Sequence, residues 1–201
     1  MARIAIAYHS GYGHTEVLAN SIADGVRQAG AEAVLLKIES PSQDFDPLLD
    51  EIGRSDAVIF GSPTYMGDVS GPFKMFADAT SKAWFTEAWK DKLAAGFTVS
   101  HSFSGDKLHT LQSLSVLAAQ HGMVWIGQGE AAPAVTAAER GPDSVNRVGA
   151  FLGLAAQADN LAPDVSPPAG EHLTARLLGE RVGKAALRWA RGVENDLAQA
   201  A

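Results

Sequence analysis

A chain of 201 residues with 46% hydrophobic content has the material for one globular domain with a sizeable core, and residues 1–201 are read as a single domain. A formal net charge of −7 lacks the basic footprint of general nucleic-acid binders, and the absence of cysteine removes disulfides, thiolate catalysis and Cys-ligated metal or iron–sulfur centres. No apolar run approaches the roughly 20 residues that span a bilayer, and no basic and apolar leader pattern precedes the first strand, so a cytoplasmic protein with no membrane partner is expected.

Arg3-Ile4-Ala5-Ile6-Ala7-Tyr8 is a short apolar run with a β-branched bias and predicts a strand buried on both faces. His9-Ser10-Gly11-Tyr12-Gly13-His14-Thr15 follows, and a helix from about Glu16 to Ala29 places Val17, Leu18, Ile22 and Val26 near helical spacing before Gly30 stops it. Strand, Ser/Gly/Thr-rich turn and helix form the anion-binding arrangement, because the first helical N–H groups have no partner within the helix and carry the positive end of its dipole. Gly11 and Gly13 let the backbone fold tightly around a phosphate, and Ser10 and Thr15 offer hydroxyl donors. The loop has no Lys, so it is not a Walker A loop, and Glu16 replaces the third glycine of G-x-G-x-x-G. Hydroxyls and backbone N–H groups alone suit a monophosphate such as that of FMN, and the bland reading is an ordinary βα turn.

Further along, Ala31–Ile38 predicts a second strand, Ser40–Gln43 a break, and Phe45–Gly53 a short helix with Leu48, Leu49 and Ile52 inward. Ser55–Gly61 predicts a third strand, Pro72–Thr80 a helix, Leu93–Val99 a fourth strand, Asp106–Gln120 a long helix and Gly122–Ile126 a fifth strand. Glu130–Asp164 reads as a loop, too long for a simple connection and so a candidate functional or oligomer-contact segment. Glu171–Leu197 predicts a final helix with Leu173, Leu177, Leu178 and Val182 on one stripe. The alternation of strands and helices predicts a mostly parallel sheet with helices on both faces.

In such a sheet, ligands sit beyond the carboxyl ends of the strands. Three unusual loops lie there: Ser10–Thr15, Gly61–Gly71 and Ser100–Gly105. Pro63 and Gly67 suggest a stiff turn whose backbone can approach a flat ring, and Tyr12, Tyr65, Phe103 and Trp84 are candidate stacking surfaces. Each has a plainer alternative. Trp84 with Trp89 also reads as a core pair, His121 as a structural histidine or helix cap, His101 as solvated loop, and Arg181, Lys184, Arg188 and Arg191 as a solvated helix face. The histidines sit on separate elements without ligand spacing, so no metal site is expected.

Four stretches resemble one family: S-G-Y-G-H-T at Ser10–Thr15, I-F-G-S-P-T-Y-M-G at Ile59–Gly67, S-G-P-F-K-M-F-A-D-A-T at Ser70–Thr80, and H-G-M-V at His121–Val124. They resemble the flavodoxin-like superfamily and, within it, the WrbA-type NAD(P)H:quinone oxidoreductases, which bind FMN. The resemblance implies a flavodoxin-like doubly wound α/β fold with a five-stranded parallel sheet of order 2-1-3-4-5 and helices on both faces. It implies that Ser10, Gly11, Tyr12, Gly13, His14 and Thr15 hold the phosphate. Pro63, Thr64, Tyr65, Met66 and Gly67 would pass beside the flavin, Val99, Ser100, His101, Ser102, Phe103 and Ser104 would form its third contact, and His121 would reach the same site. Tyr12 and Trp84 would wall the substrate pocket, Trp84 often from a neighbouring subunit. The implied partners are NAD(P)H and a quinone in a homodimer or homotetramer, with no nucleophile or other catalytic side chain, since the flavin carries the chemistry. The alternative is a flavodoxin-type electron carrier between protein partners. The chain departs from the family at Tyr65-Met66, where Arg-Phe is usual, and in the third loop, S-H-S-F-S-G, which is normally Thr- and Gly-rich.

Overall fold

A computed structural model describes residues 1–132 and 136–200, with side chains followed to residue 192. Strand β1 (Arg3–His9) is central, paired in parallel with β2 (Glu32–Ile38) on one side and β3 (Ala57–Tyr65) on the other. Strand β5 (Leu93–Ser100) lies beyond β3, and the outer position beside β5 is filled by two short strands. β6 (Val124–Trp125) pairs with Leu93 and Ala94, whereas β7 (Leu154–Gln157) pairs with Phe97 to Ser100. Strand positions therefore run in the flavodoxin-like order, with β4 (Asp68–Val69) as an antiparallel hairpin arm on β3.

The outermost strand corrects the expectation of one continuous strand over Gly122–Ile126. The chain leaves the sheet after Trp125 and re-enters it at Leu154. The two halves join where Trp125 Nε1 donates to the Leu152 carbonyl at 2.7 Å and Gln128 N donates to that of Phe151 at 3.0 Å. β7 is short and half alanine, a residue of low strand preference, so its partner and its full burial make it a strand. Likewise β3 continues past Gly61 to Tyr65 because the hairpin with β4 extends it. Met66 and Gly67 both have positive φ, 49° and 83°, as a two-residue hairpin turn requires.

Alternation along β1 sorts the two layers. Ile4, Ile6 and Tyr8 face helices α1 (His14–Gln28) and α6 (Ala169–Ala200), packing with Leu18, Ile22, Val26, Leu178 and Val182. Ala5 and Ala7 face the opposite layer of α2 (Asp46–Gly53), α3 (Gly71–Ala79) and α5 (Lys107–Gln120), with Phe60, Phe73, Phe76, Leu111 and Leu114. The buried stripe of α6 is Ala175, Leu178, Val182 and Ala186, whereas Leu173 and Leu177 are only half-buried. Helices α1 and α6 meet backbone to backbone. A Cβ on Gly25 would lie 1.9 Å from the Arg176 carbonyl oxygen, and one on Gly179 would lie 2.0 Å from that of Ile22. This contact positions the amino end of α1, where the candidate site lies. No helix among the described residues is long and apolar enough to cross a membrane.

Candidate functional site

A cavity of about 590 Å³ opens at the carboxyl ends of the strands, a size within the usual range for small-molecule sites. Its first wall is the turn from β1 into α1. Gly13 caps the helix with φ +90°, so the chain can reverse there without a side-chain penalty. The Glu16 N–H donates to Ser10 Oγ at 3.2 Å and the Val17 N–H to the Gly13 carbonyl at 3.1 Å, while those of His14 and Thr15 have no partner within the helix. Thr15 is buried against the cavity. A carboxylate so near a helix start would oppose a bound anion, but Lys37 holds Glu16 at 3.1 Å on the side of β2. Gly11 passes so close to Tyr65 that a Cβ there would lie 2.4 Å from the phenol oxygen.

The second wall is Pro63, Thr64 and Tyr65. The Thr64 hydroxyl bonds those of Thr98 and Thr110, each at 2.8 Å, which ties β3 to β5 and α5 beneath the cavity. The hairpin tip is pinned by His109 Nδ1 against the Gly67 carbonyl at 2.9 Å and by Ser113 Oγ against Asp68 at 2.6 Å. Tyr12 and Tyr65 meet edge to face with centroids 6.3 Å apart, and Tyr12 remains 78% exposed. Burial, and secondarily Tyr12, push the Tyr65 phenol above its ordinary pKa. Val99, Ser100 and His101 supply the third wall.

A fourth wall, Ala158 and Asn160 to Pro163, follows β7; it lies within the long 130–164 segment expected to be functional or an oligomer contact, although none of its residues is among the expected site residues. It is fastened to the first loop, since His14 Nε2 donates to the Leu161 carbonyl at 2.8 Å and Pro163 sits against Gly13. The available signal was Leu154–Gln157 as a resumed strand, which would have carried the following loop to the ligand edge.

Several expected contacts do not come together in one chain. Met66 is fully exposed at the hairpin tip. Ser102, Phe103 and Ser104 turn off the cavity wall; the Arg147 guanidinium lies 5.0 Å over the Phe103 ring, which with Ser104 borders a separate cleft. His121 is buried at the end of α5, with Nε2 paired to Thr80 Oγ1 at 2.8 Å and its ring 4.4 Å from that of Trp89. Trp84, 46% exposed, shares a small surface pocket with it. Helices α3 and α5 both run back along the strands, so Trp84 on α4 (Ser81–Phe85), which follows α3, and His121 at the end of α5 lie at the strands' amino ends, about 20 Å along β5 from Ser100. Trp89 is core, and the Arg181, Lys184, Arg188 and Arg191 face is solvated.

Residues 6–136 match the family model described as NADPH-dependent FMN reductase. The chain is 39% identical over 184 residues to a Pseudomonas aeruginosa protein named flavodoxin FldP, covering 92% of this chain and 96% of that one. It is 29% identical to an Archaeoglobus fulgidus NAD(P)H dehydrogenase (quinone), covering 92% and 98% respectively. Among solved structures, a flavodoxin, WrbA-like protein from Agrobacterium tumefaciens superposes with a TM-score of 0.73 at 37% identity, over 94% of this chain and 99% of that one.

Proposed function

Because the chain belongs to the NADPH-dependent FMN reductase family, we propose that it is an NAD(P)H:quinone oxidoreductase working through FMN in this cavity. It is a flavodoxin-like oxidoreductase of the WrbA type, and FMN is its cofactor. The residues present fit that group. The Gly11 backbone comes close enough to Tyr65 to exclude any Cβ, the Ser10 and Thr15 hydroxyls flank the start of a 15-residue helix, and the Glu16 carboxylate in its first turn is paired with Lys37. Such a cradle suits one terminal phosphate.

Bound there, FMN supplies the chemistry, accepting hydride from a nicotinamide and delivering two electrons to an acceptor. The protein binds, orients and excludes water. In this reading Ser10, Gly11, Gly13, His14 and Thr15 hold the phosphate end. Pro63, Thr64, Val99, Ser100 and His101 flank the ring, and Ala158 to Pro163 close the side opposite the hairpin. The observation that carries the substrate assignment is the Tyr12–Tyr65 rim. Two rings 6.3 Å apart, one largely open to solvent, suit flat apolar partners and offer no fixed nucleophile. Nicotinamide and quinone then use one slot in turn. We take residues 1–201 as one domain working in the cytoplasm.

The test is anaerobic titration of the FMN-loaded protein with NADPH and then with a benzoquinone. Loss of the oxidised-flavin absorbance, its recovery on quinone addition and parallel double-reciprocal lines are expected. No response to NADPH or NADH would overturn the assignment in favour of an electron carrier, the reading that the likeness to FldP supports. Such a carrier would accumulate a stable one-electron-reduced form on photoreduction.

The same reading includes a homodimer or homotetramer. Trp84 and Phe85, with rings 5.2 Å apart and both exposed, form an aromatic patch at the far edge of the sheet that a second copy could cover or direct into its own slot. Sedimentation as a monomer at micromolar concentration would remove this part.

A further inference from the structure

Behind the third wall lies a buried polar cluster that the proposed reaction does not use. Lys107, the first residue of α5, is 1% exposed. Its ammonium donates to Ser100 Oγ at 3.0 Å and to the Ser102 carbonyl at 2.5 Å. Ser100 lines the cavity, so a single hydroxyl separates this cation from the bound group's space. Arg147, half-buried, pairs with the buried Glu171 at 2.9 Å, and Glu171 Oε1 also accepts the Gln157 N–H at 3.2 Å. Gln157 in turn holds the His101 carbonyl at 3.0 Å and Asp159 at 2.9 Å. Lys107 makes no ion pair among the described residues. Asp159, beyond Gln157, is the next carboxylate, and with Glu171 matched to Arg147 the three charged groups Lys107, Arg147 and Glu171 carry one positive charge in excess.

That charge sits where stability alone would not put it. It is removed from water, it occupies the amino end of a helix whose dipole disfavours cations, and Arg147 adds repulsion. A cost of this kind beside a redox cavity points to use. Resting on the assignment of FMN to this cavity, we propose that Lys107 is a positioning residue that favours the negatively charged, reduced cofactor through Ser100 and the 100–105 loop. It thereby raises the two-electron potential. Burial also lowers the lysine's own pKa to about 8, with Glu171 of α6 opposing and Arg147 reinforcing the shift. Asp106 next to it, Asp159 reached through Gln157, and His101, whose backbone carbonyl Gln157 holds, are further titratable residues near it.

The test is a spectroscopic redox titration of FMN-loaded wild type and Lys107→Met from pH 6 to 10. A unit charge removed at about 10 Å, at an effective dielectric near 20, changes relative affinity by roughly tenfold. The variant should therefore bind reduced FMN about tenfold less well relative to oxidised FMN, a potential lower by about 30 mV. In the wild type, the same tenfold coupling raises the Lys107 pKa from about 8 to about 9 on reduction, so up to about half an additional proton should be taken up per two electrons between about pH 8 and 9. The variant should lack that break. Lys107→Arg should restore the potential without the break, since its charge does not titrate. If neither variant folds, the wild-type break remains decisive, and its absence overturns the proposal. Saturable FMN binding with an unmoved potential also sinks the role of Lys107 alone, whereas failure of the wild type to bind FMN sinks the cofactor assignment beneath it.

Discussion

Gly13→Ala separates what the first loop contributes from ordinary backbone strain. At φ +90° an L-residue costs about 1–2 kcal/mol relative to glycine. The new Cβ would also lie 2.8 Å from Pro163 Cγ and 3.0 Å from its Cβ, and a pyrrolidine ring cannot swing away without moving its backbone. Overpacking of this kind adds about 1–3 kcal/mol. The entropy that alanine removes from the unfolded chain returns roughly 0.4–1 kcal/mol. A net loss of about 3 kcal/mol follows, which for a chain of this size lowers Tm by roughly 6–12 °C. Because Pro163 lines the cavity, FMN should bind at least tenfold more weakly, about 1.4 kcal/mol. Gly30→Ala is the control. Gly30 has φ +86° with open space around its would-be Cβ, and it ends α1 on the side away from the cavity. It should lose only about 1 kcal/mol and leave FMN affinity unchanged. Thermal unfolding of both apo variants and fluorescence titration with FMN read the two effects. Equal Tm values for the two variants, or wild-type FMN affinity in Gly13→Ala, would refute the assignment of this turn and its Pro163 contact to the site.

Gly179→Ala places a methyl 2.0 Å from the Ile22 carbonyl and should cost about 2–3 kcal/mol in urea unfolding, whereas Gly192→Ala, with open space in the same helix, should gain up to about 1 kcal/mol; the reverse order would refute the backbone contact of α1 with α6. Thr15→Asp puts a buried carboxylate at the amino end of α1, and the protein should purify without FMN; a fully yellow variant would move the phosphate elsewhere. Burial lowers the pKa of His9, His121 and His172, so the unfolded chain protonates near pH 6.5 before the native one does. Their contribution is therefore complete above about pH 6.5 and lost as pH falls through the folded values; the urea midpoint should drop between pH 7 and 5.5, and by less in His172→Gln.

The sequence by itself determined the parts whose signals are local. The β-branched run at Ile4–Ile6, the glycine-bearing turn and the helix ending at Gly30 lie within thirty residues, and each step is encoded by its own neighbours. Together with the motif around Gly61–Gly67, they carried the fold, the strand order and FMN. Tertiary structure decided what depends on partners far along the chain. Leu154–Gln157 is a strand because β5, 57 residues earlier, offers it a ladder and a core to bury in, and only then does Ala158–Pro163 become a wall of the site. Lys107 looks like any polar residue at a helix start until Arg147, Gln157 and Glu171 close over the loop it supports. Trp84 and His121 carry the right side chains, but α3 delivers the one and α5 the other to the opposite end of the sheet. Side-chain type is written residue by residue, whereas the edge of a sheet at which a residue arrives depends on how many times the chain has crossed it.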